Sequence, residues 1–170
     1  DKRPVENVSW EDARRFCAKL TELERKEGRV PDGWAYALPT EAQWEYACRG
    51  GTRTAFAFGD TLSPKDAHFG VSQEETVPVG GFRPNARGFH DMHGNVFEWC
   101  ADWYGNYPST SVVDPTGPPT GTTRVRRGGA AYFEAGAARS ANRHAYGPTR
   151  RLFSVGFRLS FRPTPEPPES

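Results

Sequence analysis

The chain is poor in methionine, with a single residue, and contains no apolar run near the roughly 18 residues a membrane-spanning helix needs. No leader-like pattern opens it, and membrane insertion is not expected. Net charge is equally scarce. Lys and Arg number 22 against 21 Asp and Glu, and the resulting +1 gives no global pull toward nucleic acid or an anionic membrane. The three cysteines, Cys17, Cys48 and Cys100, form an odd, widely spaced set without a CxxC pair. That excludes a zinc ribbon or a thioredoxin-like site, leaves a Cys48–Cys100 disulfide open, and leaves the redox compartment undecided. Lysine is missing altogether from 124 to 162, where nine arginines share the segment with one acid, Glu134. A basic groove for nucleic acid is one reading. The favoured one is bracing, because guanidiniums placed singly between small residues suit donation to carbonyls and carboxylates.

What the sequence does have is glycine (18), proline (15) and aromatics: eleven Phe, six Tyr and five Trp. This composition describes a loop-rich domain held by aromatic packing. At 170 residues one domain is expected, over 1–162, followed by a Pro/Glu tail at 163–170 that reads as disordered. Ser9 with Asp12 makes a capping box, and Trp10, Ala13, Phe16, Cys17, Leu20 and Leu23 recur at helical spacing, so a helix spans 10–26. Thr40 with Gln43 makes a second box, and the helix it opens stops at Gly50-Gly51. Residues 28–34 read as a turn, 56–60 and 77–82 as short strand pieces, 96–103 as a central strand or buried turn, and 104–123 as a loop.

The stretch 124–158 organises the rest. It opens on Gly128-Gly129, closes on Gly156-Phe157-Arg158, and shows neither helical nor strand periodicity. A long glycine-anchored loop that still carries aromatics displays them. The expected binding residues are Ala131, Tyr132, Phe133, His144, Tyr146, Thr149, Arg150, Leu152, Phe153 and Ser154. Six of them, Tyr132, Phe133, His144, Tyr146, Leu152 and Phe153, would cluster as a concave aromatic patch, with Thr149 and Arg150 at its edge.

Several blocks together resemble the formylglycine-generating-enzyme, or sulfatase-modifying-factor, family. They are Pro4-Val5-Glu6-Asn7-Val8-Ser9-Trp10, Leu38-Pro39-Thr40-Glu41-Ala42-Gln43-Trp44-Glu45-Tyr46-Ala47, Pro78-Val79-Gly80, Asp91-Met92-His93-Gly94-Asn95-Val96-Phe97-Glu98-Trp99, Arg126-Arg127-Gly128-Gly129, Arg139-Ser140 and Gly156-Phe157-Arg158. The resemblance implies an α+β, C-type-lectin-like fold: two helices, short strands and much irregular loop. It also implies a further family stretch before Pro4, so the sequence is expected to lack an N-terminal part. The family's calcium ligands correspond to Asp91, the carbonyls of Gly94 and Val96, and Glu98, and such oxygens suit a hard cation. The family's catalytic copper is held by a cysteine pair just before the position of Arg139-Ser140. Residues 130–138 contain no thiol, so neither copper nor formylglycine generation is expected.

The cysteine-free branch of the family is commonly a binding module, and one subgroup comprises the variable proteins of diversity-generating retroelements. Adenine mutagenesis of an AAC codon never yields Lys, Glu, Gln, Met or Trp. The runs Ala130-Ala131-Tyr132-Phe133, Ala135-Gly136, His144-Ala145-Tyr146-Gly147, Thr149-Arg150 and Leu152-Phe153-Ser154 contain none of these five. The resemblance therefore implies a non-catalytic module that binds a protein ligand rather than nucleic acid, with a cell-surface or extracellular setting favoured. The alternative is an accessory domain shaping the substrate pocket of an oxygen-dependent relative. A sugar-binding lectin rests on fold analogy alone.

Overall fold

The computed structural model describes residues 2–72 and 75–164. Helix α1 (Trp10–Lys26) begins with the expected reciprocal cap, the Asp12 N–H donating to Ser9 Oγ at 3.1 Å and the Ser9 N–H to Asp12 Oδ2 at 3.0 Å. Its buried stripe is Trp10, Ala13, Cys17 and Thr21. Phe16 sits at the stripe's edge and remains exposed, its ring 5.5 Å from that of Phe157. Helix α2 (Glu41–Arg49) is capped in the same way by Thr40 and Gln43 and ends on Gly50 at φ 58°, a left-handed position that favours glycine.

Strand β1 (Trp34–Ala37) pairs antiparallel with the terminal strand β6 (Ser160–Pro163). This corrects two expectations. The turn region gives way to a strand at Trp34, and Pro163 belongs to β6 rather than to a tail. The Thr164 N–H extends the pairing by donating to Gly33 O at 2.7 Å. The remainder of the expected tail lies outside the described residues.

The main sheet is built from β2 (Phe97–Trp103), β3 (Arg124–Arg127), β4 (His144–Tyr146) and β5 (Val155–Gly156), in the order β4-β3-β2-β5. Only β2 and β5 run parallel. The stretch 124–158 is therefore not a displayed loop throughout, since three of the four strands come from it. Its short strands are separated by a 3-10 turn (Ala135–Ala138) and glycine corners, which hid them from a periodicity test. Of the other expected strand pieces, 56–60 holds a single bridge between Phe56 and Gly59. Residues 77–82 form no strand, because the Asn95 side chain takes the partner's place. Its Oδ1 accepts the Val77 N–H at 3.0 Å, and its Nδ2 donates to Val77 O at 3.1 Å.

Side chains alternate across a sheet, so each face has its own core. One face carries Phe97, Trp99 and Val155 against Trp10, Ala13, Cys17 and Leu38 of the α1 side. The other carries Cys100 and Val125 against Trp44, Cys48 and Met92. All three cysteines are buried free thiols, so the disulfide left open by the sequence is not formed.

The arginines of 124–158 brace this scaffold. Arg124 lies over the rings of Trp10 (3.6 Å) and Trp103 (3.4 Å) and donates to Ala101 O at 2.7 Å. Arg143 clamps both carboxylate oxygens of Glu41 at 2.6 Å, Arg151 holds Asp12, and Arg158 holds Glu98. The fork geometry of guanidinium, not its charge alone, accounts for the preference over lysine.

Asp102 adds a pH dependence. It is buried, and its Oδ2 accepts the Glu41 N–H at 2.8 Å. Burial raises its pKa from 3.8 to about 6, with the neighbouring Glu41 charge adding to the effect against that hydrogen bond. A carboxyl raised on folding binds protons more tightly in the native state, so stability falls as pH rises between those two values and is level above them. Asp102→Asn, which keeps an acceptor for Glu41, is expected to remove this slope. It should stabilise the protein at neutral pH by on the order of 2 kcal/mol, as read from urea unfolding across that window. An unchanged slope would refute the assignment.

Candidate functional site

The aromatic residues picked out by sequence do come together. Tyr132 and Phe133 lie 4.5 Å apart between ring centroids, and Phe153 lies 5.4 Å from Tyr132. Phe97 of β2 anchors the group, 5.0 Å from Phe133 and 4.8 Å from His144. These spacings are those of edge-to-face and tilted aromatic pairs. Tyr146 and Leu152 pack against the same core as Phe133. The backbone holds the arrangement from behind, with the Ala131 N–H donating to Asn95 O, the Gly70 N–H to Phe133 O and the Val71 N–H to Ala131 O, at 2.9–3.0 Å.

The patch is half-sunk rather than freely displayed. Tyr132 is 37% exposed, while Phe133, His144, Tyr146, Leu152 and Phe153 are intermediate. Thr149 and Arg150 are exposed at the neighbouring turn, where the Arg150 N–H donates to Gly147 O. Ala131 and Ser154 are corrections to the expected surface, because both are buried. Ser154 works from beneath, accepting the Tyr132 hydroxyl at 3.3 Å. Burial lowers the pKa of His144, and the Arg126 and Arg127 charges lower it further, which keeps its ring neutral. Cavities of about 640, 890, 430 and 380 Å³ lie elsewhere and are lined by other residues. None of these four cavities is lined by Tyr132, Phe133, His144, Tyr146, Leu152 or Phe153.

Two members of this surface were not singled out by sequence, Phe97 and Arg126. Phe97 is fully buried and forms the floor. Arg126 is 8% exposed, with its guanidinium 4.3 Å from the centre of the Phe97 ring and 5.1 Å from that of Tyr146. Period-2 reading of 124–127 and 97–103 would have put both on one sheet face.

The expected calcium ligands Asp91, Gly94, Val96 and Glu98 line one cavity of about 430 Å³. Asp91 sits at φ 54°, with Oδ2 accepting the Gly80 N–H at 2.6 Å. Its Oδ1 is buried and has no partner among the described residues, an opening that suits a hard cation. Glu98 differs from the expectation. Arg158 takes both of its oxygens at 2.6 Å and the Trp44 Nε1–H donates to one of them at 2.6 Å, so its charge is already met.

One thiol and one imidazole lie close together, Cys48 Sγ being 3.8 Å from His93 Nε2. His93 uses both ring nitrogens structurally, Nδ1 donating to Ala138 O at 2.8 Å and Nε2 accepting the Ala57 N–H at 3.1 Å. Burial pushes the Cys48 thiol up to about 12. This pair is a packing contact, not an activated nucleophile.

Two helices, a strongly curled four-stranded sheet and a two-stranded flap linked by long loops define the mixed α+β fold of formylglycine-generating-enzyme-like proteins and variable proteins. The protein belongs to the sulfatase-modifying factor enzyme 1-like domain family, whose model matches residues 1–162. It is 39% identical to the formylglycine-generating enzyme of Streptomyces coelicolor, over 74% of this sequence and 41% of that protein. Against the Bos taurus formylglycine-generating enzyme the identity is 35%, over 92% and 43%. The sequence thus spans less than half the length of these relatives. Among solved structures, Treponema denticola variable protein 1 superposes with a TM-score of 0.82 at 30% identity, covering 93% of this protein and 70% of that one.

Proposed function

We propose that this domain is a non-catalytic binding module whose ligand is a protein, received on the aromatic surface of Tyr132, Phe133, His144, Tyr146, Leu152 and Phe153. The observation that carries the reading is the contiguity of these side chains over one sheet face, with none of them lining the four cavities described above. Aromatic side chains bury much area for little rotamer entropy, which is what a protein-binding surface needs. The absence of a thiol from 130–138 removes the soft ligands that the family's copper chemistry requires. Likeness to a variable protein supports a further step, that 124–158 is the diversified segment of a retroelement receptor. A cell-surface or extracellular setting goes with that role.

Two experiments test the reading. A random peptide library panned on the protein is expected to return clones that bind the Tyr132→Ala, Phe153→Ala double variant at least roughly 30-fold more weakly, with thermal stability little changed. Clones indifferent to both substitutions would overturn the patch as the binding site. Sequencing the surrounding DNA is expected to find a near-copy of the codons for 124–158, differing only at adenines, beside a reverse transcriptase gene. Failure to find one removes diversification and leaves a plain binding module.

The second reading, an accessory domain of an oxygen-dependent enzyme, draws on the names of the curated relatives. It requires an iron-binding, His-rich segment in the same polypeptide, and a coding sequence without one counts against it.

Calcium belongs to this proposal through Asp91 and the carbonyls of Gly94 and Val96, with Glu98 remaining paired to Arg158. A bound ion would tie 91–96 to the Gly80 turn. Millimolar calcium is expected to raise the melting temperature over that in chelator, and Asp91→Asn to abolish the rise. A calcium-independent melting temperature in the native sequence rejects the site.

A further inference from the structure

Among the buried and half-buried arginines of 124–158, Arg126 is the exception. Arg124 ends on Ala101 O, Arg127 on Glu45 and two carbonyls, Arg143 on Glu41 and Arg158 on Glu98. The Arg126 guanidinium makes no ion pair or hydrogen bond among the described residues. Its Nε, like those of Arg124 and Arg127, is enclosed without a partner, but unlike theirs its terminal nitrogens have no acceptor among those residues either. It is nonetheless more than nine-tenths buried, in the floor of the aromatic surface, between Trp99 and His144 in the sheet register. Ring faces offset part of the cost of enclosing a cation but satisfy none of its five N–H donors. Burial pulls its pKa down, the sign of a charge that lacks a counter-ion.

From this geometry we infer that the aromatic surface takes a carboxylate of the bound protein, and that Arg126 is the residue that pairs with it. The inference rests on the binding-module reading and names its ligand chemistry. Aromatic walls exclude water from the pair, so a charge-assisted hydrogen bond formed here is stronger than the same bond at an exposed site. With the His144 pKa lowered, Arg126 is the cation in the floor of the group, while Arg150 lies exposed at its edge. A partner presenting an aromatic or aliphatic residue beside an Asp, a Glu or its own C-terminus meets both halves of the surface.

The test is a titration of arginine-labelled protein followed by the Nε–H resonances, with the Arg126 signal assigned by its loss in Arg126→Met. Four probes are compared, each up to about 50 mM, where affinities far weaker than 1 mM still register. They are N-acetyl-aspartate methylamide, N-acetylglycine, N-acetyl-asparagine methylamide and N-acetyl-phenylalanine methylamide. The aspartate probe is expected to shift Arg126 with roughly tenfold tighter binding than its asparagine counterpart, the ratio a charged hydrogen bond gives. A shift with N-acetylglycine of equal affinity assigns the carboxylate to the partner's C-terminus as readily as to an acidic residue, and a weaker one assigns it to the acidic residue. If the phenylalanine probe shifts patch resonances while no acid moves Arg126, the carboxylate inference fails and the binding surface stands. If no probe perturbs the patch, both fail. Arg126→Lys, followed instead on the ring resonances of Tyr132 and Phe133, is expected to bind the aspartate probe several-fold more weakly than the native protein, because the ammonium lacks the planar fork.

Discussion

Arg127→Met is expected to cost about 3–5 kcal/mol of folding stability, the penalty for breaking a buried ion network on one side. For a domain of this size the melting temperature should fall by roughly 10 °C. Arg127 is fully buried in the sheet face opposite the aromatic surface. Its guanidinium donates to Glu45 Oε2, to Ser140 O at 2.7 Å and to Asn142 O at 2.5 Å, and Glu41 Oε1 lies 3.5 Å away. Methionine fills the volume but leaves two carbonyls without donors and two carboxylates with one cation fewer. Glu41 keeps Arg143 and Glu45 keeps Arg49, so the network is weakened rather than dissolved. Arg127→Lys should recover only part of the loss, since one ammonium cannot reach acceptors spread over α2 and the Ser140 turn. Chemical unfolding measures both variants. A loss below about 1 kcal/mol for the methionine variant would place Arg127 among removable surface-like ion pairs and refute the bracing account.

Gly94→Ala carries the second large effect. Gly94 adopts φ 80°, where any Cβ is strained by about 1–2 kcal/mol. A Cβ there would also lie 2.2 Å from His68 O, a backbone atom that cannot rotate away. That carbonyl accepts the Asn95 N–H at 2.8 Å, while the Gly94 N–H donates to Gly128 O at 2.7 Å. Relief of the clash must therefore separate the 68–71 segment from 94–95, and the former holds Phe133 and Ala131 in place. The expected loss is about 3–5 kcal/mol, with weakened ligand binding in whatever fraction stays folded. Gly88→Ala is the control, because it has a similar φ of 82° but nothing within 4 Å of the added carbon. Equal losses at the two positions would mean that backbone strain alone, not the His68 contact, sets the requirement for glycine.

Both helices were legible because their determinants are local. A capping Ser or Thr, an acid or amide three residues on, and apolar residues at helical spacing act within one or two turns. Residues 96–103 were legible as a central strand or buried turn because aromatic and small apolar residues are concentrated there, and the strand 97–103 is indeed packed on both faces. Strands β3, β4 and β5 were not, because two to four residues are too few to show a period and their pairing partners lie far along the sequence. The same holds for β1 and β6, which make a strand of Pro163 where composition suggested a tail. Asn95 standing in for a strand against Val77 has no sequence signature at all.

The site divides in the same way. Sequence chose residue types that suit a binding surface, and the tertiary structure sorted them. Tyr132 is exposed, Phe133, Tyr146 and Phe153 are half-sunk beside it, and Ala131 and Ser154 are enclosed. Residue type reports what a group is able to do, whereas exposure depends on which strand it occupies and what is packed behind. The sequence by itself determined the family, the two helices, the preference for arginine as a brace and the absence of cysteine from 130–138, all properties of composition or short motifs. Only the tertiary structure decided that Phe97 underlies the aromatic surface, that Glu98 is committed to Arg158 and that Arg126 is buried there without a counter-ion among the described residues. Each of these depends on contacts between residues tens of positions apart, and such contacts exist only once the sheet has formed.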